Sequence, residues 1–85
     1  MKIFYSPQFF REYKRLANKI KEKAEEREKI FRKNPFDRRL KTHKLRSRLS
    51  EFWAFSIDFN YRIIFSFEDN DIVRFYVIGS HSIYF

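Results

Sequence analysis

The chain has 85 residues, enough for one domain, and 21% of them are aromatic, so a small fold can still bury a dense set of rings. The absence of cysteine excludes a disulfide scaffold and a thiolate zinc site, and the single glycine excludes a glycine-rich phosphate loop. The net charge of +8 is uneven: residues 1–50 carry 17 basic and 6 acidic side chains, whereas residues 51–85 carry 2 and 5. This asymmetry predicts an anionic partner for the first half of the chain.

The N-terminal residues predict a strand that leads into a helix. Residues 2–5 have the composition of a short strand, and Ser6 and Pro7 follow directly. A serine hydroxyl can cap a backbone N–H of the first helical turn, and a proline at the first helical position lacks an N–H that would stay unpaired there. We therefore expect a helix from Pro7, with Ser6 as its cap.

Apolar residues after that start recur mostly at intervals of three or four, which predicts one buried helical face. They are Phe9, Tyr13, Leu16, Ile20, Ala24 and Ile30. A break at Asn18 and Lys19 would divide the region into two antiparallel helices, and one continuous helix is the alternative. We expect the helical region to end at Asn34, because the residue before a proline is disfavoured in the helical conformation.

The remainder of the chain has the period of strands. Residues 52–59, 62–67 and 72–78 alternate in the way that predicts three antiparallel strands in a meander, and a further short strand is expected over residues 41–46. The predicted fold class is α+β: an N-terminal strand, a helix or helical hairpin, then a 3–4-stranded antiparallel meander with the helices packed on one face. Residues 1–85 are expected to form a single domain.

The register of the meander follows from keeping the aromatic side chains on one face. Asp58 opposite Arg62 would align Ile57 with Ile63, Phe55 with Phe65 and Trp53 with Phe67. Phe67 opposite Val73 would align Phe65 with Phe75 and Ile63 with Val77. The other face is then predicted to be polar, basic and open, with Ser56, Asp58, Arg62, Ser66, Arg74 and Tyr76 on it.

The highest density of charge lies in residues 38–48, where six of eleven side chains are basic and none is acidic. Phosphate backbones attract such clusters and release counterions on binding. A solvated loop without a ligand is the alternative, and a membrane-surface role is disfavoured because the segment has no helical apolar stripe. The basic side chains of the helices, Lys23 among them, are expected only to be solvated.

Two histidines are candidates for proton transfer: His43 in the basic segment and His81 near the C-terminus. An imidazole has an ordinary pKa of about 6.5 and exchanges protons near neutral pH. Two imidazoles beside a phosphate, with cations nearby, could cleave RNA, one accepting the 2′-OH proton and the other protonating the leaving 5′-oxygen. An ordinary surface role for each histidine is the alternative. Arg62 is either functional or the partner of Asp58 in a cross-strand ion pair.

Six segments carry a resemblance that spans nearly the whole chain: Ile3-Phe4-Tyr5-Ser6, His43-Lys44-Leu45, Leu49-Ser50-Glu51-Phe52-Trp53, Tyr61-Arg62-Ile63-Ile64-Phe65, Ile78-Gly79-Ser80-His81 and Tyr84-Phe85. In this order they resemble the RelE/ParE toxin superfamily of bacterial and archaeal toxin–antitoxin modules. The resemblance is greatest to its YafQ/YoeB branch, whose members cut mRNA in the ribosomal A site.

The resemblance implies the toxin of a type II toxin–antitoxin system, a cytoplasmic, metal-independent endoribonuclease that cleaves mRNA by 2′-OH attack. Its catalytic residues would be His81 as acid, Arg62 as the phosphate-stabilising arginine and His43 as general base. RNA binding would involve Lys41, Lys44, Arg46, Arg48, Arg74 and Tyr84. The implied partners are an acidic cognate antitoxin, mRNA and the ribosome with its 16S rRNA, with no membrane and no small-molecule cofactor.

The chain departs from the pattern at three positions: Ser56 and Asn60 stand where YafQ-like members have a histidine and an aspartate, and Glu51 replaces a common glycine before the aromatic pair. Two other functions therefore remain open. A ParE-like toxin would bind a protein target such as DNA gyrase and would need the fold but not the histidines. A catalytically inactive relative would bind RNA without cutting it.

Overall fold

Strand β1, Lys2–Tyr5, leads into helix α1, Pro7–Lys14, in the computed structural model, which describes residues 1–46 and 51–80. The Ser6 hydroxyl accepts a hydrogen bond from the Phe9 backbone N–H at 3.0 Å, and Pro7 is at the start of the helix, so the predicted start is confirmed. The same hydroxyl donates to the Tyr76 carbonyl oxygen at 2.8 Å, which connects the start of α1 to the sheet.

A second helix, α2, covers Asn18–Lys33, so the helical region is divided, as one of the two alternatives held. The break precedes Asn18, which is the first residue of α2 rather than part of the break. The helix ends before Asn34, whose backbone is extended, and this confirms the predicted effect of Pro35. Phe31, which the apolar spacing did not include, is fully buried, whereas Ile30 beside it is only partly buried.

The described strands form one sheet in the order β1-β5-β4-β3-β2. The strands after β1 are β2 at His43–Lys44, β3 at Trp53–Ser56, β4 at Tyr61–Asp69 and β5 at Ile72–Ser80. Strands β2 to β5 pair antiparallel, which confirms the predicted meander, although β2 is shorter than residues 41–46. Strand β1 pairs parallel with β5, and the sequence pattern does not predict this pairing. The α+β class is confirmed.

The predicted register of the β3–β4 hairpin is wrong by two residues, because Ser56 and not Asp58 lies opposite Arg62. The side chain of Asp58 is the cause: its Oδ1 accepts hydrogen bonds from the backbone N–H groups of Asn60 and Tyr61 at 2.9 and 2.8 Å. Asp58 is therefore part of the turn, whereas the predicted register has it in the ladder opposite Arg62. A shift of two residues keeps each side chain on its predicted face. The pairs become Phe55 with Ile63 and Trp53 with Phe65.

The β4–β5 register is as predicted at Phe67 with Val73 and at Phe65 with Phe75. Beyond these pairs the prediction is wrong, because Ile63 lies opposite Ile78 rather than Val77. The ladder shifts between Ile64 and Phe65, where β5 contains one extra residue, Tyr76. A bulge of this kind inserts a residue into one strand only, and apolar alternation alone does not reveal it.

The core lies between the helices and one face of the sheet. Phe31 of α2 is at its centre, with ring centroids 4.8 Å from Phe55, 4.9 Å from Phe65 and 5.5 Å from Phe75. These four rings are fully buried. Aromatic packing of this kind, with most pairs edge to face, lets a chain of this size fix the position of α2 against the sheet.

The opposite face of the sheet is polar only in part, which corrects the prediction of a wholly polar face. Leu45, Ala54 and Ile64 form a small buried apolar cluster there, and Phe52 and Val77 pack against it. Polar side chains lie on either side of this cluster along β4: Arg62 at one end and Ser66 at the other.

Candidate nucleic-acid interface

Arg62 lies at the start of β4, opposite Ser56 on β3 and Gly79 on β5. Its Nη1 donates to backbone carbonyl oxygens of the β3–β4 turn, at 3.1 Å to Asp58 and 3.4 Å to Phe59. The guanidinium is therefore directed at the turn between the two strands. In the described part of the chain no ion pair joins Arg62 to the carboxylate of Asp58, so the cross-strand ion pair is wrong, and the register shift is the reason.

A cleft of about 440 Å³ is open beside Arg62, between helix α2 and the β3–β4 turn. A volume of this size is within the range of small-molecule sites, roughly 300–1,000 Å³. Basic side chains from three parts of the chain line it: Lys23 and Arg27 from α2, Arg39 and Lys41 from the segment before β2, and Arg62 itself. Ser56, Ile57, Asp58 and Phe59 complete the lining.

The charge of Arg39 is offset by a neighbour. Its Nε and Nη2 donate to the two carboxylate oxygens of Asp37, both at 2.9 Å. Hydrogen bonds from the side chain and backbone of Arg39 lower the pKa of the Asp37 carboxyl to about 2. Asp37 therefore stays ionised at neutral pH, and Arg39 adds little net charge to the cleft.

Arg27 is held differently, because its Nε is buried and has no hydrogen-bond partner among the described residues. The Glu26 carboxylate is 3.9 Å away, which is beyond hydrogen-bonding distance. A buried donor left without a partner costs roughly 1–3 kcal/mol, and more when the group is charged. With Arg39 offset, four cations of the cleft remain, against the carboxylate of Asp58 in the described lining and that of Glu26 at 3.9 Å from Arg27, so the cleft favours an anion.

His43 lies on the same face of the sheet as Arg62. His43 is opposite Ala54, Arg62 is opposite Ser56, and alternate residues of β3 point to the same side. With strands about 4.8 Å apart and residues about 3.3 Å apart along a strand, the two Cα atoms are roughly 12 Å apart. The imidazole of His43 is exposed, and the Arg62 guanidinium is directed at the β3–β4 turn.

His81, the other predicted imidazole, is outside the described residues. The last described residues of β5 are Gly79 and Ser80, opposite Arg62 and Tyr61. The catalytic assignment of His43, Arg62 and His81 stays a prediction.

The predicted RNA-binding residues do not share one location. Lys41 lines the cleft. Lys44 is opposite Trp53, so it lies on the other face from His43. Arg74 is four residues farther along the sheet, opposite Ser66, where its Nε is 3.5 Å from a Glu68 carboxylate oxygen and its guanidinium lies over the Phe4 ring. Arg46 is exposed after β2. Arg48 and Tyr84 lie outside the described residues.

Three residues of the cleft were missed in the sequence. Lys23 is exposed, as a solvated side chain would be, but it lines the cleft, and Arg27 lines it from the next turn of α2. The helical spacing does not indicate that Lys23 and Arg27 line a cleft. The packing of Phe31 determines which side of α2 faces the β3–β4 turn. The alternating pattern of residues 52–59 predicts that Phe59 belongs to a strand, whereas the structure has it in the β3–β4 turn with 90% of its surface exposed.

Two features are absent from residues 1–46 and 51–80. Neither helix there is both long enough and apolar enough to cross a membrane. No group of three or more histidine, cysteine, aspartate or glutamate side chains in that part of the chain could hold a metal ion.

No protein-family model and no curated protein matches the sequence, but solved structures are similar to it. The crystal structure of YafQ from E. coli strain BL21(DE3) matches with a TM-score of 0.81 at 22% identity, covering 99% of this chain and 97% of that chain. The YoeB–YefM complex from Staphylococcus aureus matches at 25% identity with a TM-score of 0.78, covering 95% and 97%. The E. coli DinJ–YafQ toxin–antitoxin complex matches at 19% identity with a TM-score of 0.79, covering 99% and 96%.

These matches bear on the resemblance found in the sequence. They extend over almost the whole of this chain and almost the whole of each similar chain, so they compare complete folds. The chain therefore has the fold of the YafQ and YoeB toxins, and its resemblance to the RelE/ParE toxin superfamily is confirmed at the level of the fold.

Proposed function

We propose that this protein is the toxin of a type II toxin–antitoxin system and that it cleaves mRNA on the ribosome. The position of Arg62 carries the proposal. Its side chain lines a cleft rich in cations, and Arg62 lies on the same face of the sheet as His43. The fold is shared with YafQ and YoeB. An imidazole and a guanidinium on one face of the sheet supply a base and a charge stabiliser for a phosphodiester.

His43 acts as the general base. Its Nδ1 is 3.1 Å from the Lys41 carbonyl oxygen, and because a carbonyl oxygen only accepts, the neutral ring carries its proton on Nδ1. Nε2 then has the lone pair. It takes the proton of the ribose 2′-OH as the 2′-oxygen attacks the adjacent phosphorus.

Arg62 and His81 complete the reaction. The guanidinium of Arg62 stabilises the negative charge that develops on the phosphoryl oxygens. His81 protonates the 5′-oxygen as the bond from phosphorus to that oxygen breaks. The products are a 2′,3′-cyclic phosphate on the upstream fragment and a free 5′-hydroxyl on the downstream fragment. His43 has gained one proton and His81 has lost one, so exchange with water restores both rings.

The partner of the proposed toxin is an acidic antitoxin. The similar YoeB of Staphylococcus aureus is solved with YefM, and the similar YafQ of E. coli is solved with DinJ. This chain has a net charge of +8 and an open cleft lined by cations, so its charge is complementary to that of an acidic antitoxin. The ribosome with its 16S rRNA as partner, and the cytoplasm as location, belong to the same proposal.

The test compares growth arrest and mRNA fragments on expression of the wild type, the double variant His43→Ala/His81→Ala and Arg62→Lys. Arg11→Lys, at an exposed position of α1, is the matched control. We expect the wild type and the control to stop growth and fragment mRNA. The double variant should do neither, and Arg62→Lys should be weakened because lysine lacks the planar fork.

Two results would reject the nuclease. Arrest by the double variant at wild-type strength, without mRNA fragments, would favour the ParE-like alternative, which the similarity to YafQ and YoeB does not support. Absence of arrest with the wild type would favour an inactive RNA-binding relative.

A further inference from the structure

The cleft beside Arg62 contains two side chains that the proposed reaction does not use, Arg27 and Phe59. Arg27 has a buried Nε without a hydrogen-bond partner in the described part of the chain, and Phe59 is 90% exposed. Both are unusual in a folded domain, because buried donors are nearly always paired and a phenylalanine is usually covered. Their position on two sides of one cleft suggests one common ligand.

Phe59 offers a flat apolar surface at the tip of the β3–β4 turn. The turn itself is well ordered by hydrogen bonds, from Asn60 and Tyr61 N–H to Asp58 and from Arg62 to the Asp58 and Phe59 carbonyl oxygens. The exposed ring is thus presented on a defined backbone. A ring in this setting can stack on any nucleobase, since every base has a π face.

Arg27 and its neighbours offer positive charge on the other side of the cleft. Lys23 precedes Arg27 by one turn of α2, and Lys41 approaches from the segment before β2. A phosphate in the cleft would be attracted by the charges of all three side chains. It would meet the exposed part of the Arg27 side chain, because the unpartnered Nε is itself buried. The carboxylate of Asp58 in the cleft lining already accepts two backbone hydrogen bonds, so it competes weakly for these cations.

We propose that this cleft is a nucleotide subsite for single-stranded RNA, in which Arg27 holds a backbone phosphate and Phe59 stacks on a base. Cations that follow the backbone beside an exposed aromatic ring are the common composition of single-strand binding sites. The inference rests on the proposed function in one respect: the RNA is the mRNA whose neighbouring phosphodiester lies at Arg62. An acidic peptide would use the cations but would gain no stacking on Phe59.

The test measures binding of the full chain to a fluorescent ten-nucleotide single-stranded RNA with 2′-O-methyl groups, which 2′-OH attack does not cleave. Phe59→Ala should weaken binding about 5- to 150-fold, the range for loss of one base–aromatic stack, and Phe59→Tyr should bind as the wild type does. A probe of the same length with abasic sugars should bind Phe59→Ala and the wild type equally. Phe10→Ala, which removes an exposed ring on α1, is the matched control.

Arg27 has its own readout, the salt dependence of binding. Arg27→Ala should reduce the slope of log K against log salt concentration by about 0.7, the value for one single-strand phosphate contact, while Arg11→Ala leaves it unchanged. Because Arg27 is largely buried, Arg27→Lys and a thermal melting curve check that a change in slope does not come from unfolding. Arg27→Lys should retain the slope.

Four outcomes would overturn the subsite: no measurable binding by the wild type, equal binding by Phe59→Ala, an unchanged slope for a folded Arg27→Ala, or a larger effect of Phe59→Ala on a ten-residue polyglutamate probe than on RNA. The last would assign the cleft to an acidic protein. Cleavage of mRNA by the wild type, with any of these results, would leave the nuclease standing without the subsite. Absence of cleavage, with binding that depends on Phe59 and Arg27, would leave the subsite standing without the nuclease.

Discussion

Three arginines line the cleft, and their surroundings give them different properties. Arg39 is offset by a bidentate Asp37, Arg62 donates to the carbonyl oxygens of a turn, and Arg27 has an unpaired buried Nε. The sequence pointed to Arg62 and to the basic segment that contains Arg39. It did not point to Arg27, because a lone arginine on a helix has no local pattern that marks its partners.

Tyr5 is the residue whose protonation most clearly links the helices to the sheet. Its hydroxyl donates to the Glu28 carboxylate, and burial together with this hydrogen bond raises the pKa of Tyr5 to about 12. The folded chain therefore keeps a proton that the unfolded chain releases near pH 10. Because the folded state binds more protons in this range, its free energy of unfolding falls as the pH rises from about 10 to 12.

Tyr5→Phe should make that fall shallower, because the variant has no phenol proton to lose. Urea unfolding at pH 9 and at pH 11, followed by circular dichroism, measures the difference between the two chains. Phe59→Ala, which removes an exposed ring at the β3–β4 turn, should retain the wild-type pH dependence. An equal loss of stability in Tyr5→Phe and the wild type would contradict the assignment to this hydroxyl.

Among the elements, α1 depends most visibly on one side chain, that of Ser6. Its hydroxyl caps the Phe9 N–H and also donates to the Tyr76 carbonyl oxygen. Removing a serine cap typically costs about 0.5–2 kcal/mol, and the second hydrogen bond places Ser6→Ala in the upper part of that range. Urea unfolding at pH 7 measures the cost.

The control for Ser6→Ala is Gln8→Ala, an exposed substitution two residues farther along in the first turn of α1, which should change the free energy of unfolding by less than about 0.5 kcal/mol. An unchanged stability of Ser6→Ala would show that the cap contributes nothing to holding α1 on the sheet.

Element ends that follow from a serine cap or a proline were predicted well, whereas the hairpin register and the pairing of β1 were not. The start of α1 at Ser6-Pro7 and the end of α2 at Pro35 follow from single residues. The hairpin register failed because the Asp58 side chain binds two N–H groups of its own turn, which apolar alternation does not record. The parallel pairing of β1 with β5 joins residues about seventy positions apart, and no local pattern predicts it.

For the whole molecule, the uneven charge predicts an anionic partner, and only the packed structure shows where cations from distant segments meet in one cleft. The cleft combines α2, the segment before β2 and the β3–β4 turn, and these meet because Phe31 packs against the sheet. In the observed register His43 and Arg62 lie on one sheet face, and the catalytic roles that the resemblance implies for them stay a prediction. The place of His81 stays a prediction.

In the proposed reaction, a ribose 2′-oxygen that is activated on the sheet face of His43 and Arg62 attacks the neighbouring phosphorus. The most direct measurement is cleavage of ribosome-bound mRNA by the full chain, with and without a single 2′-deoxy substitution at the cleaved position. From the all-ribose mRNA we expect an upstream fragment that ends in a 2′,3′-cyclic phosphate, identified by mass spectrometry. We expect no cut at the substituted position. Cleavage at the 2′-deoxy position with the wild-type rate would contradict it.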